Sequence, residues 1–338
     1  MNIRATAFPR RRRCAGMTLI ELMISMALGL LVIIAATSAL VADRQTSRDT
    51  EALARIQENA RIAFDFMRRS LREVGGTPCG TEVGEIDIKS GSGWYATGTY
   101  RDLVLEGTKD AGFAGTSASI KKTDNSNFTV TYASGSGDSL RILTLASDAG
   151  SGGMSQIISQ SGGTLVLQSI YGFNPDDLML ACDLSDGTIF TQGTFTPSPT
   201  ASMPYRGTFS SPNFPDTFTF NLVNAWFAML QPEVWFIGAN ERGGKSLYRI
   251  IGNGSNSNAR ADEIAADAVK MQISYLVPDK SAYLDANSIS TDEWPDVVAV
   301  RILLTLRNDS TLATGYVERT LAHTVALRNR QPPQPPPP

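Results

Sequence analysis

The chain has 338 residues, a formal net charge of −3 and a hydrophobic content of 42%. This length suits one sizeable domain or two small ones, and the mildly acidic charge argues against nucleic-acid binding, which requires a basic surface. The sequence contains a single histidine, His323. Zinc sites built from several histidines are therefore excluded, and a Ser-His-Asp arrangement would depend wholly on this residue.

The N-terminus combines a basic stretch with a long apolar segment. Arg10 to Arg13 precede this segment, and Glu21 is the only ionisable residue in positions 17–42. As a helix, residues 17–42 would rise roughly 39 Å, enough to cross a hydrocarbon core of about 30 Å. The arginines should hold the N-terminus in the cytoplasm, so most of the chain would lie outside it.

A secretory signal peptide is the alternative interpretation of the apolar segment, with Thr37-Ser38-Ala39 as its cleavage site. The apolar region of such a signal has about 7–15 residues and ends at small residues. The segment observed here is longer and carries a carboxylate near its start. We therefore predict that residues 17–42 insert into a membrane.

Glu21 is the unusual residue of the segment. A carboxylate at the centre of a bilayer costs about 2.5–3.5 kcal/mol, so it normally has a partner and a function. Cleavage after Gly16 would give Met17 a free ammonium, about one helical turn from Glu21. The carboxylate could then pair with this amine or with the amine of a neighbouring chain, and its position also suits the helix dipole.

The basic leader, Gly16 and the sequence Met17-Thr18-Leu19-Ile20-Glu21-Leu22 resemble the class III signal of type IV pilins and pseudopilins. The resemblance implies that a membrane prepilin peptidase cleaves between Gly16 and Met17 and methylates the new N-terminal amine of Met17. It also implies that Glu21 pairs with the amine of an adjacent subunit. Met17 departs from major pilins, which usually begin with Phe. Cleavage removes five arginines and no acid, so the formal charge falls from −3 to −8.

An amphipathic pattern follows the apolar segment. Residues 43–50 are polar but contain neither Pro nor Gly, so a helix can continue through them. Apolar residues then recur at helical spacing, at Leu53, Ile56, Ala60, Phe64, Met67, Leu71 and Val74. Gly75 and Gly76 mark the end. We predict one helix over residues 17–74, and a break near residues 43–50 is the alternative.

Residues 77–330 predict a β-rich globular head, because short β-type runs alternate there with Gly, Ser, Asn and Asp clusters. The predicted strands are Leu103–Leu105, Phe128–Tyr132, Leu140–Leu145, Thr164–Ile170, Leu178–Cys182, Thr188–Thr191, Thr217–Phe220, Glu233–Ile237, Ser246–Ile251, Val269–Val277, Val297–Leu306 and Thr320–Leu327. The proline-rich residues 192–216 predict a long surface loop, and residues 331–338 a disordered polyproline tail.

The predicted fold class is therefore α+β and pilin-like, with a long N-terminal helix packed on an antiparallel β-rich head. The predicted organisation is a leader at 1–16, a transmembrane half of the helix at 17–42, an amphipathic half at 43–76, the head at 77–330 and the tail at 331–338. Cys14 lies in the leader, which leaves Cys79 and Cys182. An even pair in an extracytoplasmic chain favours a disulfide, with two buried free thiols as the alternative.

Three motifs in the head fall short of a chemical site. Residues 239–246 resemble a phosphate-binding loop, but they lie between two predicted strands and begin with Ala where Gly is needed, which favours a hairpin turn. Asp183, Ser185 and Asp186 have acidic spacing but lack the distant Glu of a calcium loop. Asn127-Phe128-Thr129 and Asn253-Gly254-Ser255 are glycosylation sequons of little weight. We predict no metal, no cofactor, no catalytic residues and no enzymatic activity.

Several head segments resemble the PilW family of minor pilins. They are Ser70–Gly76 with Cys79, Leu178–Asp183 with Ile189-Phe190, Glu233–Phe236 with Ser246–Arg249, Val269–Tyr275, Trp294 with Val297–Arg301, and Val325–Arg330. The resemblance implies a minor pilin that primes or caps a type IV pilus. Its partners would be other minor pilins, the major pilin, the prepilin peptidase, inner-membrane lipid and a tip adhesin.

Two other functions remain as alternatives. A minor pseudopilin of type II secretion would share the signal and a β-rich head. A membrane-anchored periplasmic enzyme or binding protein would keep its leader and would need a pocket with convergent polar groups. In the pilin interpretation, the subunit is a single-pass inner-membrane protein with a periplasmic head, and it then becomes part of an extracellular fibre.

Overall fold

The computed structural model describes residues 17–80, 86–88, 104–113, 117–121, 127–146, 153–175, 177–190, 193–211, 219–252, 260–278, 280–308 and 316–330. The predicted leader, the proline tail and the second sequon lie outside these residues. The chain divides into two compact units, Met1–Ala54 and Arg55–Pro338.

A single α-helix, α1, extends over Leu19–Glu73. It includes residues 43–50, so the predicted continuity is confirmed and the alternative of a break there is wrong. The predicted end is also confirmed, because Gly75 adopts a φ of +71° and the Gly76 N–H donates to the Glu73 carbonyl at 3.0 Å. A left-handed residue at this place is the usual termination of a helix, and glycine adopts it without strain.

Seventeen strands are described in the head. They are β1 (Ile86–Ile88), β2 (Leu105–Thr108), β3 (Ser117–Lys121), β4 (Asn127–Thr131), β5 (Ser139–Leu145), β6 (Met154–Ser161), β7 (Thr164–Leu167), β8 (Leu178–Cys182), β9 (Gly187–Phe190), β10 (Thr194–Pro197), β11 (Gly207–Ser210), β12 (Trp226–Ala239), β13 (Lys245–Ile251), β14 (Arg260–Ala266), β15 (Ala268–Leu276), β16 (Ala299–Asn308) and β17 (Val317–Ala326). Short 3-10 helices occupy Ala286–Ser288, Thr291–Asp296 and Arg328–Arg330.

The long strand β12 organises a 12-stranded sheet. Its beginning pairs with β8 and β6, its middle with β5 and its end with β13, all antiparallel. A second sheet has the antiparallel order β15-β16-β17, and β3 and β4 form a third. Among the described pairs of strands, β1 and β9 run parallel and the others antiparallel; an isolated parallel bridge also joins Gly137 to Met271. The α+β class with a predominantly antiparallel head is thus confirmed.

The main core lies between the helical stripe and one face of the sheets. The stripe is Ile56, Ala60, Ala63, Met67, Leu71 and Val74, each at most 2% exposed, and it belongs to the same apolar cluster as Leu178, Leu180 and Cys182 of β8. Met179 and Ala181, which alternate with them, belong to a second cluster with Phe209 and Phe227. Strand β8 is therefore buried on both faces, as its continuous apolar sequence requires.

Some local predictions in the head are wrong. The segment predicted as a loop, 192–216, contains the antiparallel hairpin β10–β11. Phe220, predicted to end a strand, lies outside any strand. Strands β6 and β14 were not predicted, because their sequences are rich in Ser and Gln or in Ala and charged residues rather than in β-branched side chains.

Candidate functional site

Helix α1 begins with a compact arrangement of Thr18 and Glu21. The Glu21 N–H donates to the Thr18 hydroxyl oxygen at 3.3 Å, and this hydroxyl lies 3.5 Å from the Glu21 carboxylate, to which it donates. The Leu22 N–H donates to the Thr18 carbonyl at 3.2 Å, the first helical hydrogen bond. Thr18 therefore acts as the N-cap residue, with Glu21 at the third helical position, where a carboxylate is favoured.

The first unit of the chain exposes an unusually large apolar surface. The N-terminal part of α1 is strongly apolar and exposed, and the helix is long and apolar enough to cross a membrane. Leu19, Leu31 and Ile34 are examples of its exposed side chains. Glu21 lies at the start of this surface, and among the described residues the Thr18 hydroxyl is the hydrogen-bond partner of its carboxylate. The charge remains accessible to a further partner.

In the head, Cys79 and Cys182 form a disulfide with a Cα–Cα distance of 6.0 Å. Cys79 follows the end of α1 in a turn, where its N–H donates to the Thr77 hydroxyl at 3.3 Å. Cys182 is the last residue of β8. The bond therefore connects the end of the helix to a strand in the interior of the large sheet.

The C-terminal 3-10 helix closes over the same end of α1. The Asn329 side-chain amide donates to the Val74 carbonyl at 3.1 Å. The neighbouring Arg330 guanidinium donates to the Trp294 carbonyl. The first of these bonds satisfies one of the carbonyls that the end of α1 leaves without an intrahelical partner, and the second links the C-terminal 3-10 helix to the 3-10 helix that contains Trp294.

A buried ion-pair network lies between α1 and strands β12–β14, and the sequence did not single it out. Arg249 lies 3.5 Å from Glu233 and 3.0 Å from Asp262, and Glu233 also accepts from the Trp235 indole at 3.0 Å. The Arg249 guanidinium is 5.6 Å from the centre of the Phe66 ring of α1. The sequence does place a charged residue within each of two apolar strands, Glu233 in β12 and Arg249 in β13. Burial of such a charge without a partner would be costly, so this pattern could have indicated the pair.

His323 packs against helix α1. Its ring stacks on Phe64 of α1 with a centroid distance of 5.3 Å and an interplanar angle of 30°. Its Nε2 atom is buried and has no hydrogen-bond partner among the described residues. His323 therefore packs against the helix, and no described Ser or Asp forms a hydrogen bond with it.

Two of the three motifs weighed as chemical sites in the head are turns. Residues 240–244 connect β12 to β13, with the Asn240 N–H donating to the Gly244 carbonyl at 2.9 Å, so the hairpin prediction is confirmed. Asp183 accepts backbone N–H groups from Ser185 at 2.7 Å, Asp186 at 2.9 Å and Asn221 at 2.7 Å. Burial acts to raise the pKa of Asp183, but these three hydrogen bonds outweigh it and lower the pKa. Among the described residues, no group of three or more His, Cys, Asp or Glu is placed to hold a metal ion.

Asp138, which the sequence did not single out, connects two sheets. It lies just before β5 of the large sheet and accepts the N–H of Ile273, on β15, at 2.6 Å. Its other carboxylate oxygen accepts the Asp110 N–H at 3.0 Å. Burial raises the pKa of Asp138 despite these two hydrogen bonds. Asp138 therefore joins the large sheet to β15 and to the segment around Asp110.

Two family models match the chain. Residues 234–337 match the type IV pilus-assembly protein W family, and residues 11–37 match the prokaryotic N-terminal methylation motif. The first match extends from within β12 to the C-terminus, so the predicted PilW-like segments at residues 70–79 and 178–190 lie outside it. No curated protein and no solved structure gives a significant match. Together with the long apolar helix and the β-rich head, the two matches support the assignment of this chain to the PilW family of type IV pilins.

Proposed function

We propose that this chain is a minor pilin that primes or caps type IV pilus assembly after prepilin peptidase cleaves it between Gly16 and Met17. The observation that carries the proposal is the methylation motif on a helix that exposes an apolar surface with Glu21 at its start. The head is tied to the end of that helix by a disulfide and by an extended core. Domains of the pilin family are structural rather than enzymatic, which agrees with a role in assembly.

Glu21 provides the assembly mechanism. Cleavage converts the Met17 amide into an amine, and methylation leaves this amine basic. The Thr18 hydroxyl is hydrogen-bonded to the Glu21 carboxylate and holds it near the start of the helix. When apolar helices pack side by side, a neighbour's amine neutralises this carboxylate. A wrong register leaves both charges unpaired in an apolar environment, so the correct register is selected.

The proposed location and partners follow from this mechanism. Before assembly, residues 17–42 lie in inner-membrane lipid, with the leader in the cytoplasm and the head in the periplasm. The subunit then enters a pilus with other minor pilins and the major pilin, and it supports a tip adhesin. A minor pseudopilin of type II secretion would share the signal, but the match to a pilus-assembly family over residues 234–337 favours the pilus.

Replacement of Glu21 tests the pairing mechanism. Glu21→Gln keeps the size of the side chain and removes its charge, so we expect cleavage to proceed while incorporation into sheared pili falls by about tenfold or more. Immunoblots of membrane and sheared fractions measure both steps. Glu58→Gln, at an exposed position of the same helix, is the matched control and should incorporate normally. Normal incorporation of Glu21→Gln would refute charge pairing.

A further inference from the structure

The two bridged cysteines lie deep in the main core. Cys79 is 4% exposed and Cys182 is 0% exposed, and both belong to the apolar cluster that includes Met67, Leu71 and Leu180. Cys182 also lies on a strand with neighbours on both sides, opposite Gly187 of β9 and Trp226 of β12. A macromolecular oxidant therefore cannot reach either sulfur in the packed head, because thiol–disulfide exchange requires direct access to the sulfur.

We infer that the Cys79–Cys182 bond forms before the head packs, by exchange with a disulfide-bonded oxidant outside the cytoplasm. One cysteine thiolate attacks the oxidant's disulfide, which forms a mixed disulfide and releases one oxidant thiolate. The second cysteine thiolate then attacks the chain's own sulfur in the mixed disulfide and displaces the second oxidant thiolate. Two electrons pass to the oxidant, which leaves as a dithiol after taking up the two protons that the cysteines lost.

This order of events determines when the disulfide forms relative to translocation and assembly of the subunit. The two cysteines are 103 residues apart in sequence. The exchange therefore joins two distant segments, the end of α1 and the end of β8, before the head has packed. If the chain is the pilin proposed above, the oxidation falls after translocation of the head and before entry into the pilus. Once the core closes, the same burial protects the bond from reductants.

Native-state reduction tests the protection. The full chain carrying Cys14→Ser, in detergent micelles, is incubated with dithiothreitol and then labelled with a polymer-linked maleimide that shifts its mobility on a gel. We expect no labelled thiol under native conditions and two labelled thiols after urea is added. Prompt labelling without urea, at the rate seen with urea, would overturn the inference. The Cys79→Ala, Cys182→Ala double variant in the same background must show no label.

The order of addition tests the sequence of events. Reduced, urea-unfolded chain receives oxidised glutathione either before or after dilution into detergent buffer, and near-ultraviolet circular dichroism reports packing. We expect the bond to form about tenfold or more slowly when the oxidant arrives after packing, since the packed head must first open. A reduced chain that does not pack at all supports the same order, because packing then requires the bond. Equal oxidation rates before and after packing would contradict it.

Discussion

At the scale of single residues, the charged groups buried in the head bind neighbouring protein groups. Glu233 and Arg249 are paired with each other, and Asp183 and Asp138 each accept backbone N–H groups. A buried charge without such partners would destabilise the fold, so these contacts have a structural role. Asp183 stabilises a loop, Asp138 joins two sheets, and the Glu233–Arg249 pair connects adjacent strands of one sheet.

Asp183 gives a prediction with a defined pH dependence. Asp183→Asn keeps one acceptor oxygen but replaces the other by an amide NH2 donor, so the N–H groups that this oxygen faces lose an acceptor. We expect the free energy of unfolding to fall by about 1–3 kcal/mol at neutral pH. Urea unfolding of the full chain in detergent, followed by tryptophan fluorescence, measures the difference.

The sign of the pH effect follows from the lowered pKa of Asp183 in the folded state. Its contribution to stability is complete above its ordinary pKa of 3.8 and is lost as the pH falls through the folded-state value. The difference between the wild type and Asp183→Asn should therefore narrow as the pH falls below 3.8. A gap that stays constant over that range would assign the effect to shape rather than to charge.

At the scale of elements, the head part of α1 is held by its buried stripe. Met67 is 1% exposed within the main core, whereas Arg69 is exposed on the same turn of helix. Met67→Ala should lower the free energy of unfolding by about 2–5 kcal/mol, because it removes buried apolar contacts and leaves a cavity. Arg69→Ala is the control and should change it by less than about 0.5 kcal/mol. Equal effects in the same urea unfolding assay would mean that the stripe does not stabilise the head.

The sequence predicts a helix or strand well where the local apolar pattern agrees with the burial of that element in the folded protein. Helix α1 follows a regular apolar spacing and ends at a glycine pair, and β8 is a continuous apolar run predicted with its observed limits. Strands β6, β10 and β14 escaped prediction because pairing with neighbouring strands, rather than intrinsic preference, holds their polar sequences extended. The extent of β12 was underestimated, since Pro232 within it reads as a break.

The candidate site likewise has features that the sequence predicts and features that it does not. The methylation motif and the position of Glu21 are local sequence features and could be predicted directly. The Ile273 partner of Asp138 is 135 residues away in sequence, so no local pattern could reveal it. The partners of Arg249 lie on strands that are neighbours in the chain, but which charges meet depends on the pairing register of β12, β13 and β14. The resemblance to a known family, not periodicity, supplied the proposed role in pilus assembly.

At the scale of the whole molecule, the two family matches lie at opposite ends of the chain. The methylation motif covers residues 11–37 and the PilW match covers residues 234–337. In the proposed account, the N-terminal unit supplies membrane insertion and lateral packing, and the C-terminal unit supplies a head stabilised by its core and disulfide. The proposed account requires that the leader is removed between Gly16 and Met17.

The most direct test of this account is therefore the mass of the N-terminal peptide from the chain isolated from pili and from the inner membrane. The account predicts a peptide that begins at Met17 and carries one methyl group on its amine. Loss of the prepilin peptidase should leave the precursor uncleaved. An intact leader in otherwise normal cells, or a new N-terminus near Ala39, would contradict the account.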